Sequence, residues 1–279
     1  MHKVLSALAG ALLGVAASTA VFLLLRSPQA SLRAVPHAEA AVVRSVAPAN
    51  VASSAEPVAV PILVYHIVRP AYPSDSAELK KYRVTPGIFD AELAHLRGKG
   101  YHVIGFQQLE AHFASSTPLP SKPVILSFDD AWEDQYQYAF PILEKYHDTA
   151  TFFVFTNAID SRGFFTISEL KTMIAAGMTI GDHSKSHPYF THLTATSSLV
   201  REIIDTKRTL ETELGVPVIA FAYPFGQYNP RVLAYVQKAG FLFGRGDGWH
   251  GPEVSPATRY TLSALNAPLS LADFEKYFP

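Results

Sequence analysis

From Val58 onward the sequence alternates between short apolar runs and longer stretches with helical spacing, and this alternation limits the fold more tightly than any other feature. PILVY (61–65), Tyr101 to Ile104, VILSF (124–128), ATFFVF (150–155), MTIGDH (178–183) and VIAFAY (218–223) are short and rich in β-branched or aromatic residues, so they read as strands. Helices with recognisable ends lie between them. Thr85-Pro86 opens one that carries Phe89, Leu93 and Leu96 on one face and is closed by Gly100. Gln107 to Phe113 is a second. Glu133 to Tyr146 reads as a helix broken or restarted at Pro141, because an interior proline loses a hydrogen bond and clashes with the preceding turn. Thr166 and Glu169 form a capping box for a helix ending at Gly177. Leu199, Ile203, Leu210 and Leu214 make a stripe ended by Gly215, and Asn229-Pro230 starts a helix ended by Gly240. Such alternation over about 200 residues predicts an α/β fold with a parallel sheet, either a closed barrel or an open sheet.

Composition removes several functions. With 279 residues, 48% of them hydrophobic, the chain can build one large domain with a core and an appendage. Net charge is −1, from 23 basic and 24 acidic residues, so no global field draws the chain to nucleic acid. There are no cysteines, which excludes disulfides, thiolate metal sites and a cysteine nucleophile; any metal must be held by histidine and carboxylate.

The N-terminus speaks to location. Val4 to Leu25 is a run of 22 uncharged residues between Lys3 and Arg26. A spanning helix needs about 20 apolar residues and a cleaved signal peptide about 7–15, so residues 1–26 read as a membrane anchor, with a signal peptide cut near Ala38-Glu39-Ala40 as the alternative. Either way the domain is exported: anchored and facing the periplasm or cell exterior, or secreted if the segment is removed. Residues 27–57, rich in Ala, Ser, Pro and Val, read as a linker, and 58–279 as the folded domain.

Polar groups collect at the predicted strand ends. His66, Asp129-Asp130, His183 and Tyr223-Pro224-Phe225 each follow an apolar run, and in a parallel barrel the C-terminal strand ends converge on one face. Two adjacent aspartates repel each other and form strands poorly, so KPVILSFDDAW (122–132) reads either as a strand delivering catalytic carboxylates or as a strand followed by an Asp130 helix cap. HSKSH (183–187) places two imidazoles four residues apart, able to converge on one ion if the segment turns. Two imidazoles and one carboxylate match the ligand count of a catalytic zinc site with positions left open for water.

SFDD, HSKSHP and FAYPFG, in that order and at that spacing, resemble the polysaccharide deacetylase family, carbohydrate esterase family 4, whose domain is also called the NodB homology domain. The resemblance runs from about Pro61 to Leu265, and PILVYH and AYPFG resemble the branch that deacetylates poly-β-1,6-N-acetylglucosamine in biofilm matrix. It implies an irregular (β/α) barrel and a monomeric catalytic domain acting on an N-acetylated glycan polymer. Asp129 becomes the general base, and Asp130, His183 and His187 the ligands of a divalent metal: Zn2+, with Co2+ or Ni2+ as alternatives. The Phe225 backbone N–H becomes the oxyanion donor, beside Pro224 and Tyr223. Asp247 and Trp249 fall where the family's fourth motif lies, and Trp249 is placed either to stack on a sugar or to fill a loop.

Two departures stand out. The arginine that commonly precedes the proline-aromatic motif is absent from Ala220-Phe221-Ala222-Tyr223-Pro224, and the late leucine-histidine motif that supplies the general acid is missing from RYTLSALN (259–266). Arg259 is then the candidate to hold a carboxylate near the base. His66, His192, His250 or Asp129 itself are the candidates for the proton donor. The function implied is hydrolysis of the acetamide of an N-acetylated amino sugar in an extracytoplasmic polysaccharide. The alternatives are a silent glycan-binding domain and a deacetylase of peptidoglycan or chitin-type oligomers.

Overall fold

A computed structural model describes residues 56–279; the expected anchor at 1–26 and nearly all of the linker lie outside the described residues. Among the described residues no helix is long and apolar enough to cross a membrane. Eight strands form the main sheet: β1 (Ile62–Tyr65), β2 (His102–Ile104), β3 (Pro123–Phe128), β4 (Thr151–Val154), β5 (Thr179–Asp182), β6 (Ala220–Ala222), β7 (Phe243–Arg245) and β8 (Leu265–Asn266). Every pairing among them is parallel. The order is β7-β6-β5-β4-β3-β1-β8, with β2 paired to the first half of β3 and β4 to its second half.

The sheet curls, and an irregular segment closes it. Gly246 N–H donates to Leu262 O and Leu262 N–H to Gly244 O, both at 2.9 Å, so the stretch after Arg259 hangs on the edge strand β7. The same stretch then enters β8, which pairs with Leu63 and Val64 of β1. This seam makes an irregular barrel, as the resemblance implied.

Side-chain alternation with a period of two sorts the strands into two cores. Ile62, Val64, Ile125, Phe153, Ala220, Ala222 and Phe243 face inward and meet Phe106, Leu109 and Phe113 of the helix Phe106–Ser115, which plugs the barrel. Leu63, Tyr65, Val124, Leu126, Phe128, Phe152, Val154 and Phe221 face outward and carry the helices. Each large apolar side chain buried this way contributes about 1.5–3 kcal/mol. Extending the inward register past the strand ends gives His66, Asp129 and His183, and along β7 it gives Arg245. The alternation that builds the core therefore aims these polar groups at one point.

The helix ends follow the sequence cues. Thr85 accepts from Ile88 N–H ahead of Pro86–Gly98, the Thr166–Glu169 capping box starts Ile167–Ala175, and Asn229 caps Pro230–Lys238. The break expected at Pro141 is a wide five-residue turn over Gln135–Ala139 that runs into the helix Phe140–Tyr146. A wider turn accommodates a proline that offers no N–H and crowds the carbonyl four residues earlier.

Candidate active site

Asp129 and Asp130 leave the end of β3 in opposite senses. Asp129 N–H donates to Tyr65 O at 2.9 Å, so the strand ladder extends through it and its side chain keeps the inward register. Asp130 and Ala131 then turn through the left-handed region, with φ of 76° and 63°. That turn excludes the helix-cap reading of Asp130 and swings its carboxylate across the barrel mouth. Trp132 Nε1 donates to Asp130 Oδ2 at 3.2 Å, which leaves Oδ1 facing the imidazoles.

His183 is buried at the end of β5, and its Nδ1 lies 2.8 Å from Ala222 O. A carbonyl only accepts, so Nδ1 carries the proton and Nε2 presents its lone pair to the site. Burial holds the His183 pKa below that of an ordinary histidine, against the pull of Asp129 and Asp130, and so favours the neutral, ligating form. Nε2 of His183 and Nε2 of His187 lie 3.6 and 3.4 Å from Asp130 Oδ1. One donor atom from each of the three residues lies within 4.8 Å of the others. Two imidazole nitrogens and one carboxylate oxygen, with their other polar atoms already occupied in two of the three residues, fit a divalent ion.

The loop between the two histidines is tightly shaped. Ser184 and His187 have φ of 74° and 55°, a conformation that costs a non-glycine residue about 1–2 kcal/mol. The offset comes from buried Asp182, which accepts from Ser184 N–H at 2.8 Å and from the Thr206 hydroxyl at 2.6 Å, and from Ser184 Oγ, which accepts from His187 N–H at 3.0 Å. Glu202 accepts from the N–H groups of Lys185 and Ser186 and from the Ser186 hydroxyl.

Asp129 is held from the opposite wall. Nη2 of Arg245 donates to both of its carboxylate oxygens, at 2.6 Å to Oδ2 and closer to Oδ1. Burial alone would push this carboxyl up; the effects led by the charge and the hydrogen bonds of Arg245 more than offset it, holding Asp129 below the usual carboxylate range. Gln135 Nε2, from the wide turn, donates to Asp129 O at 2.6 Å and to His66 O at 2.5 Å, fastening the ends of β3 and β1 together.

Asp129, Asp130, His183 and His187 line a cleft of about 400 Å3 that also takes in His66, Tyr223, Phe225 and Asp247. Tyr223 is buried, its hydroxyl donating to Tyr260 O at 3.0 Å; buried Pro224 leads into Phe225, which is left-handed at φ 56° and 44% exposed. Asp247 Oδ1 accepts from Asn266 Nδ2 at 2.7 Å and from Gly248 N–H at 2.8 Å. His192 lies against the Tyr189 ring and His250 beside Ser263; of the three histidines weighed as proton donors, His66 is the one that lines the cleft.

Two sequence expectations need correcting. Arg259 does not reach the base: its guanidinium bonds to Glu110 and, at 2.6 Å, to Leu242 O, behind the β7 edge. Trp249 is outside the cleft, half-buried against Tyr277 in a separate depression near Pro61 and Pro123. The residues that sequence reasoning missed are Arg245, Gln135 and Glu202. Only Arg245 left a signal: a charged residue in line with Phe243 at the end of an apolar run.

The fold and site define a class by geometry, an α/β barrel whose mouth gathers an Asp/His/His set able to hold a divalent metal. Residues 116–244 match the family model described as polysaccharide deacetylase, and over that stretch the chain is similar to that family. Among curated proteins it is 27% identical over 189 residues to YxkH of Bacillus subtilis (strain 168), which carries the family's name; the match spans 68% of this chain and 64% of that protein. It is 25% identical over 203 residues to the poly-β-1,6-N-acetyl-D-glucosamine N-deacetylase of Staphylococcus aureus (strain MSSA476), spanning 65% of this chain and 70% of that one. Among solved structures, the Streptococcus pyogenes deacetylase PplD in complex with acetate superposes with a TM-score of 0.72 at 27% identity, covering 80% of this chain and 100% of that chain. IcaB from Ammonifex degensii shares the fold, with a TM-score of 0.66 at 22% identity over 78% of this chain and 94% of that one.

Proposed function

We propose that this chain is a metal-dependent N-deacetylase that hydrolyses the acetamide of N-acetylated amino sugars in an extracytoplasmic polysaccharide, poly-N-acetylglucosamine in our reading, and releases acetate. The observation that carries this reading is the convergence of Asp130, His183 and His187 to within 4.8 Å, beside a carboxylate held ionised by Arg245. Asp130, His183 and His187 would hold a divalent ion, zinc in our reading, which would supply Lewis acidity and lower the pKa of water at the site.

The remaining work falls to the chain itself. Asp129, ionised at neutral pH, takes the proton of the attacking water. The Phe225 N–H, aimed by its left-handed backbone, donates to the oxygen on which negative charge develops. An amide nitrogen must be protonated to leave, and His66, at the cleft wall, is the donor we assign. The named substrate of the Staphylococcus aureus relative and the acetate in the PplD complex support the choice of substrate and product. The uncharged run Val4 to Leu25 supports export, with the domain tethered outside the membrane.

Acetate release from poly-β-1,6-N-acetylglucosamine, peptidoglycan fragments and chitin oligomers, with and without chelator, tests the proposal. Chelator-sensitive release, greatest on the β-1,6 polymer, is the expected result. A metal-loaded protein that binds these glycans and releases no acetate would sink it.

A further inference from the structure

We propose that Tyr189 is a positioning residue: it clamps the loop carrying His187 to the turn carrying Phe225, so that the metal ligand and the backbone amide are set as one unit. The inference rests on the catalytic reading above. Tyr189 lies flat on Phe225, with ring centroids 3.8 Å apart and planes within 5° of parallel. Phe225 also meets His187, at 4.5 Å and 71° between planes. Phe225 is thus gripped by Tyr189 from the loop that also carries this imidazole, whose Nε2 stands 3.4 Å from Asp130 Oδ1.

Both gripped residues need a clamp. His187 and Phe225 sit in the left-handed region, at φ 55° and 56°, a conformation that is strained for a residue with a side chain. A stacked aromatic pair contributes attraction beyond its buried area, which offsets part of that strain. Burial does not explain the arrangement, because Tyr189 is 45% exposed and Phe225 44%. The turn has little room to relax elsewhere. Gly226, at φ 65°, is packed so closely on Asp247 that a methyl group would collide with it. The two segments are also tied downstream: Thr191 Oγ1 donates to Gln227 Oε1 at 3.0 Å, and Arg231 donates to Thr194 O at 2.6 Å.

The test compares Tyr189→Ala and Tyr189→Phe in the full-length chain. It reads zinc affinity by competition with a chelator, and kcat and KM separately on N-acetylglucosamine oligomers. With alanine, kcat is expected to fall about tenfold or more, as for a displaced oxyanion donor, with KM nearly unchanged. Zinc affinity should also fall about tenfold, as for a lost support of a ligand. Phenylalanine keeps the flat ring and restores both. If alanine leaves kcat and zinc affinity unchanged, the clamp is wrong. If alanine raises KM alone, or if phenylalanine fails like alanine, Tyr189 is a substrate contact or acts through its hydroxyl, and the clamp is again wrong. Should the alanine variant not fold, Tyr189→Leu keeps bulk without a planar face, and the same outcomes decide. A wild-type chain that takes up zinc and releases no acetate would defeat the catalytic reading, while the zinc measurement would still decide the clamp.

Discussion

Arg245 donates to both carboxylate oxygens of Asp129 across 116 positions of sequence, at the top of an otherwise apolar barrel. Its location has a simple geometric basis. β6 and β7 pair in register, with Ala222 opposite Arg245. The strand on which the family resemblance led to a search for an arginine offers only alanine at that level, and the neighbouring strand supplies the guanidinium from the adjacent inward position. Phe153 supports it from below, with the Arg245 guanidinium carbon 5.0 Å from the ring centroid.

Replacing Arg245 by methionine keeps the volume and strands a buried carboxylate. Removing one partner of a buried pair costs about 3–5 kcal/mol. A fall of that size in the urea unfolding free energy is expected, together with loss of most kcat/KM because Asp129 then resists ionisation. Bound zinc should be kept, since Arg245 touches none of the three ligands. A variant as stable and active as wild type would show that the pair is incidental.

In the proposed mechanism the two aspartates divide the chemistry, and substitution should separate them. Asp129→Asn is expected to retain zinc stoichiometry and lose turnover, because the amide cannot accept the proton. His187→Ala, by contrast, should lose bound zinc, because it leaves two of the three ligands. Metal analysis of purified protein beside an acetate assay reads both; zinc retained by His187→Ala would remove that imidazole from the site.

Much of this site was legible in the sequence, and the reason is local. SFDD and HSKSH hold their functional groups within a few residues, and the period-two register carries His66, Asp129 and His183 inward from apolar runs that read plainly as strands. Arg245 was not legible in the same way. Its partner lies on a strand that is neither adjacent in sequence nor in the sheet, so only the curl of the barrel brings them together. Arg259 illustrates the converse: it stands beyond a neighbouring strand with an equally plausible charge, yet the seam segment brings it to Glu110 on the helix Phe106–Ser115, away from the base. Trp249 is similar, following Asp247 at the cleft but carried away by the next two residues. Glu202 reaches the metal loop from a helix 15 or more residues downstream, and no spacing rule announces it.

Stability should depend on pH through Glu92. This side chain is buried on the helix Pro86–Gly98, accepts from the Tyr65 hydroxyl at 2.9 Å, and has no compensating cation among its hydrogen-bond partners. Burial pushes its pKa up to about 8, against the lowering effect of the Tyr65 bond. An unfolded glutamate titrates near pH 4.3, so the folded state binds the extra proton between about pH 4 and 8. The contribution is therefore complete below about pH 4 and is lost as pH rises through about 8, by at most about 1.4 kcal/mol per pH unit. Glu92→Gln fixes the neutral form. The melting temperature of wild type should fall relative to the glutamine variant between pH 6 and about 8; parallel curves would refute a neutral Glu92.

The barrel interior gives a last expectation, linking packing to chemistry. Gly181 faces inward on β5, two residues before His183 and in register with Phe153 on β4. A methyl group at Gly181 would run into the Phe153 ring. Gly181→Ala should therefore destabilise by about 1–3 kcal/mol, the usual range for overpacking a tight core. The displaced ring is also the one beneath the Arg245 guanidinium, so kcat should fall with stability while zinc binding holds. Shrinking the ring in the same molecule makes the two effects separable. Gly181→Ala combined with Phe153→Leu is expected to regain much of the stability, because the two residues touch and their changes in volume oppose each other. Turnover should recover less, because leucine offers no aromatic face to the guanidinium. Full recovery of both would mean that Phe153 acts on the site only as a filler of space.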